Sequence, residues 1–115
     1  MSTSVEMVGR DGWEDFLSAP VAVLILAKSD CGACKTWQGE LDAHLAGTDE
    51  FDGARFGKLN LDQPGLVAFK RANPWLSGVT DLPTNVLYVK GEKTKTWVGG
   101  GVDRLANRLR RVLTD

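Results

Sequence analysis

The sequence has only two cysteines, Cys31 and Cys34, and a single histidine, His44. A structural zinc site takes four protein ligands, so one chain offers too few. Only an iron–sulfur cluster bridging a dimer would gather four thiolates. Long apolar runs are missing too: the longest, residues 20–27, is far too short to cross a bilayer. No basic excess is present, the formal net charge being −1, which argues against a dedicated nucleic-acid binder. Residues 1–12 hold no apolar run and no cluster of positive charge. No signal peptide is expected there, and the cytoplasm is the default compartment. In that compartment a persistent structural disulfide is unusual. Internal repeats, linkers and low-complexity segments are also lacking.

What is present suits one domain, residues 1–115, with a single hydrophobic core. Charge is uneven along the chain. Residues 1–57 carry four basic and ten acidic side chains, residues 58–115 ten basic and five acidic. Folding interleaves the two halves, so the asymmetry by itself assigns no partner.

Residues 5–8 read as a short opening strand. Asp11 reads as the cap of a brief helix carrying Trp13, Phe16 and Leu17, which ends before Pro20. Val21–Ala27 is continuously apolar, as a strand buried on both faces is. In a helix over 35–46, Trp37, Leu41 and Leu45 recur every four residues, and Gly39 weakens it or permits a bend. A strand over 56–61, a helix over 64–70 and an irregular stretch over 73–81 follow. Strands over Thr84–Val89 and 94–98 flank the turn Lys90-Gly91-Glu92-Lys93 as a hairpin. Beyond Gly99-Gly100-Gly101, the residues Val102, Leu105, Leu109, Val112 and Leu113 mark an amphipathic helix. This order predicts an α/β fold, a central mixed sheet of four to five strands with helices on both faces.

The cysteines stand in Cys31-Gly32-Ala33-Cys34, where the strand hands over to the helix. Free backbone N–H groups and the positive end of the helix dipole favour a thiolate at that place. With no further cysteine to complete a metal site, the spacing reads first as a redox pair. The blander reading is a pair of inert or structural thiols.

In four stretches the chain resembles the thioredoxin family, over nearly its whole length from Trp13 to Leu113. Cys31-Gly32-Ala33-Cys34-Lys35 resembles the active-site segment, and Lys58-Leu59-Asn60-Leu61-Asp62 the third-strand segment with its lysine. Leu82-Pro83-Thr84 resembles the loop with a cis proline, and Lys90-Gly91-Glu92 with Val98-Gly99 the final hairpin and its following glycine. The resemblance implies a thioredoxin fold and thiol–disulfide exchange with protein disulfides, Cys31 attacking and Cys34 resolving. It implies a cis bond at Pro83, with Gly32, Ala33, Leu82, Pro83 and Gly99 receiving the substrate chain. It further implies a monomer with no bound cofactor, recharged by a flavoprotein of the thioredoxin-reductase kind.

Departures from the family pattern stand beside these matches. Asp30 replaces a tryptophan before the first cysteine, Ala33 a proline, Ile25 a buried aspartate and Gly39 a kinking proline; the segment before Pro83 is longer and contains Trp75. Lys35 should favour the Cys31 thiolate, and Asp30 oppose it. Lys58, without the aspartate, should turn its ammonium to water or find another carboxylate. With Ile25 in place of that aspartate, the second step should be slower than in a general thioredoxin. These departures keep open an alternative of another class, a redox-poor binding or chaperone-like module on the same fold.

Trp13, Trp37 and Trp97 fall on apolar faces and should be core. Trp75 either covers a core edge or presents a surface to substrate. Arg104, Arg108 and Arg111 share one helix face, read as solvated, and His44 reads as an exposed helix residue.

Overall fold

The computed structural model describes residues 3–113. Every residue of β2 (Val21–Ala27) is buried, because the strand lies at the centre of the sheet with helices on both sides. It pairs in parallel with β3 (Arg55–Asn60) and antiparallel with β4 (Thr84–Val89). The sheet is completed by β1 (Val5–Met7), parallel to β3, and β5 (Glu92–Val98), antiparallel to β4. The order is β1-β3-β2-β4-β5, a mixed sheet of five strands.

Alternation along β2 divides the interior in two. Val21, Val23 and Ile25 face α2 (Gly32–Ala46) and α4 (Val102–Leu113), where Trp37, Leu41, Leu45, Leu105 and Leu109 pack on them. Ala22, Leu24 and Leu26 face α1 (Trp13–Leu17), α3 (Val67–Ala72) and a 3-10 helix at Pro74–Gly78. Gly57 in β3 allows α1 to approach: a Cβ there would lie 2.5 Å from Val8 Cγ2 and 2.8 Å from the Phe16 ring.

Several boundaries differ from the sequence expectation. α2 starts at Gly32 rather than residue 35, since Cys31 itself caps it, and it runs unbroken through Gly39. α1 follows Gly12, with no side-chain cap; Asp11 instead lies 3.6 Å from Arg10 in an exposed ion pair. β1 ends at Met7, although the Val8 N–H still donates to Lys58 O at 2.9 Å. β3 begins one residue early, and α3 spans Val67–Ala72 rather than 64–70. The irregular stretch 73–81 contains the 3-10 helix, entered through Pro74. The hairpin turn is only Lys90-Gly91, both with positive φ (53° and 82°), as a tight two-residue connection requires. The register steps from Leu87↔Lys95 to Tyr88↔Lys93, so Thr94 is an extra residue, and its hydroxyl donates to Leu87 O at 3.0 Å.

Candidate active site

Leu26 pairs with Thr84, so the loop leaving β2 and the loop entering β4 emerge at one end of the sheet. The first of these loops is clamped from the turn that follows β3. Ser29 donates its N–H to Asp62 Oδ1 at 3.1 Å and its hydroxyl to Asp62 Oδ2. Those two bonds hold the Asp62 carboxyl below the usual carboxylate range. Two residues on, Cys31 takes an extended conformation (φ −92°, ψ 106°) and its Sγ accepts the Cys34 N–H at 3.1 Å. One of the unpaired donors of a helix start thus points at sulfur. Cys31 and Cys34 are joined as a disulfide across a Cα–Cα distance of 5.3 Å. Cys31 is half-buried, Cys34 wholly buried, and Gly32 and Ala33 are exposed between them. Only the first sulfur is open to a second molecule.

The second loop carries the Leu82–Pro83 peptide bond in cis. Pro83 is buried, and its carbonyl accepts the Gly99 N–H at 2.8 Å. The Gly99 carbonyl in turn accepts from Asn85 Nδ2 at 2.7 Å. Gly99, with φ at 89°, therefore ties the rim together through both of its backbone groups. The backbone of Leu82 is different, making no hydrogen bond among the described residues. One donor and one acceptor are thus without a protein partner at the end of the sheet that carries Cys31.

Beneath α2 runs a row of register neighbours, Lys58, Ile25, Asn85 and Trp97, on four consecutive strands. The sequence expectation for Lys58 is not met: the side chain is buried, and among the described residues its ammonium reaches no carboxylate. It donates to the Gln38 side-chain carbonyl at 2.9 Å, one helical turn beyond Cys34. The neutral amide reaches the lysine because α2 crosses directly over this row. Asn85 is fully buried, accepting from Trp37 Nε1 at 2.9 Å and donating to Trp97 O and Gly99 O. Asp30 and Lys35, flanking the pair, are exposed and form no ion pair among the described residues.

This backbone is shared with solved structures. Thioredoxin from Trypanosoma brucei brucei superposes with a TM-score of 0.75 at 22% identity, covering 100% of this chain and 96% of that one. The chain has the thioredoxin fold. Thioredoxin f2 of Chlamydomonas reinhardtii gives a TM-score of 0.74 at 22% identity, covering 97% of this chain and 99% of that chain. For a Malassezia sympodialis thioredoxin the TM-score is 0.73 at 22% identity, with 95% and 90% covered. No protein-family model matches the chain, and no curated protein matches it in sequence.

Within the thioredoxin fold, the longer segment before Pro83 puts Trp75 on a core edge. Its ring packs with the α1–α3 side, donates from Nε1 to Asn73 Oδ1 at 3.2 Å, and lies 4.0 Å from Lys93 Nζ. Lys93 pairs with Tyr88, five residues along β4 from Pro83, so the indole is not at the cysteine rim. Trp37 and Trp97 are core, as expected, whereas Trp13 is only half-buried, against Phe69 at 5.3 Å. His44 is also half-buried rather than exposed, because Phe51 folds back on it with ring centroids 5.9 Å apart.

Three participants escaped the sequence reading: Gln38, Asn85 and the Ser29–Asp62 clamp. Asn85 leaves one visible trace, a poor strand former inside the apolar run Thr84–Val89. Gln38 and Ser29 leave none.

Proposed function

We propose that this protein is a thiol–disulfide oxidoreductase acting on protein disulfides. The observation that supports it most is the closed Cys31–Cys34 pair, with one accessible and one buried sulfur, capping α2 at the sheet end that also carries cis-Pro83. In the reduced protein, the Cys31 thiolate attacks a substrate sulfur. The substrate S–S bond breaks, one substrate thiolate leaves, and a mixed disulfide forms on Cys31. Cys34, deprotonated in turn, attacks Cys31 Sγ. This releases the second substrate thiol and re-forms the Cys31–Cys34 bond, two electrons having passed to the substrate. The Cys34 N–H that points at Cys31 Sγ stabilises the attacking thiolate. The unpaired backbone of Leu82 receives the substrate chain, with Pro83 and Gly99 shaping the rim and exposed Gly32 and Ala33 admitting it.

Ile25 holds the row position beside Lys58, so the row supplies no carboxylate for the Cys34 proton. The second step is accordingly slower than with an acid there, and Ile25→Asp should accelerate release of the mixed disulfide. Asp30 and Lys35 act on the Cys31 charge only through solvent, which screens them. The reading includes a cytoplasmic monomer, recharged by a flavoprotein reductase.

Trapping with Cys34→Ser tests it. Client proteins should accumulate as mixed disulfides on Cys31, be released by dithiothreitol, and be absent with Cys31→Ser. If wild type also fails to accelerate insulin reduction by dithiothreitol and nothing is trapped, the binding-module alternative takes its place.

A further inference from the structure

On the surface of α4, Arg104, Arg108 and Arg111 follow one another at helical spacing and line one side of the helix. Sequence alone leaves them as a solvated face. In the fold that face borders a cleft of about 340 Å³ between α4 and β5, lined by Lys95, Asn107, Arg108 and Arg111 over a floor of Leu87 and Val112. No carboxylate among the described residues lines it. Among the described residues none of Lys95, Arg104, Arg108 and Arg111 forms an ion pair. Arg55 and Arg110 differ, each held by a carboxylate: Arg55 by Glu6 at 2.6 Å, Arg110 by Glu50 at 2.5 Å.

Two of these guanidiniums are nonetheless held in place. Arg108 stacks over Trp97, 4.4 Å from the ring centroid, and donates to Arg104 O at 3.0 Å. Arg104 donates to Val98 O at 2.9 Å. Fixed cations without counter-charges attract an anion at little ordering cost.

The strip is also continuous with the redox rim. Arg104 Nη1 lies 3.6 Å from where a Cβ on Gly99 would stand, and the Gly99 N–H is bonded to Pro83 O. From Arg104 to Arg111 the helix rises about 10 Å. That length exceeds a single phosphate, and the Leu87–Val112 floor suits apolar side chains set among charged ones.

From this charge complementarity and continuity, and resting on the oxidoreductase reading, we propose that the α4–β5 cleft docks an acidic segment of the client protein. The segment lies beside the client's disulfide, so client choice is made by Lys95, Arg104, Arg108 and Arg111 as well as by the cysteine rim. Docking through these side chains raises encounter with acidic clients and weakens with salt.

Two disulfide-bridged peptides, identical except for a tail of four glutamates or four glutamines, test the proposal. Wild type should reduce the glutamate peptide about fivefold faster in kcat/KM at low salt, an advantage of the size exposed charge pairs provide. The advantage should fade at high salt. Lys95→Gln/Arg111→Gln, both at exposed positions, should abolish it and leave the glutamine peptide's rate unchanged. Arg71→Gln/Lys90→Gln, an equal charge loss elsewhere, should retain it.

Fluorescence anisotropy with a cysteine-free glutamate-rich peptide reads the cleft without redox chemistry. Binding should be weaker in Lys95→Gln/Arg111→Gln by a similar factor. Equal binding by wild type and that variant overturns the docking site, even if both peptides are reduced. Charge-selective binding with neither peptide reduced keeps the docking site and overturns the oxidoreductase reading instead. Displacement of the peptide by equimolar inorganic phosphate, or tighter binding of a single-stranded oligonucleotide, overturns the acidic-segment assignment.

Discussion

The two faces of the sheet are built differently. On the α1–α3 side the buried side chains are almost all apolar, Phe16, Leu24, Leu26, Leu59 and Phe69 among them, and charge stays at the margin. There Arg55 joins β3 to β1 through Glu6 and to α1 through Asp15 at 3.1 Å. On the α2–α4 side a buried lysine and a buried asparagine sit within the core, each bonded to a side chain of α2. Burying such groups without partners costs free energy, so their neighbours must satisfy them in one geometry. The apolar face supplies adhesion that tolerates repacking. The polar face fixes α2, and with it the cysteines, in one position over the strands.

Substitutions on the two faces should therefore separate stability from chemistry. Asn85→Ala should have the largest effect, about 3 kcal/mol of unfolding free energy, since it strands Trp37 Nε1 and two carbonyls. It should also slow disulfide reduction per folded molecule, because the Gly99–Pro83 rim loses its brace; denaturant melts with single-turnover assays measure both. Gly57→Ala on the other face should cost about 2 kcal/mol through its clash with Val8 and Phe16. Its rate per folded molecule should stay at the wild-type value. A rate change there as large as with Asn85→Ala would break the comparison.

Gln38→Ala should cost about 1–2 kcal/mol by leaving the Lys58 ammonium without its acceptor. Gln38→Glu should restore that loss, the carboxylate accepting the same hydrogen bond. The smallest effect near neutrality belongs to Tyr88 on the α1–α3 side, whose phenol burial pushes up to about 12. The folded value lies above the ordinary one near 10, so the stabilisation is complete below pH 10. It is lost as pH rises through about 12, and Tyr88→Phe should flatten the alkaline decline in melting temperature.

Legibility followed the range of the signal. Apolar continuity marked β2, four-residue spacing marked the buried face of α2, and turn residues marked the β4–β5 hairpin. Cap positions were less legible: Asp11 has the chemistry of a cap, yet the backbone starts α1 after Gly12. α2 starts three residues before the expected position, because cysteine is not among the usual caps and so leaves no cap signal in the sequence. The sequence marks Lys58 as a lysine in want of a partner. Its acceptor stood twenty positions away on another element, with nothing in the local sequence to name it.

By itself the sequence determined the element order, the Cys-x-x-Cys pair at a strand–helix junction, and the proline loop at the start of β4. Periodicity, helix-start chemistry and proline's constraints act among near neighbours, so they can be read along the chain. Only the tertiary structure decided which sulfur is open, that Gln38 rather than a carboxylate receives Lys58, and that Asn85 joins α2 to the rim. It alone set Arg108 and Arg111 of α4 beside Lys95 over an apolar floor. Those arrangements depend on strand register and helix crossing, which bring together side chains as far as 48 residues apart in the chain.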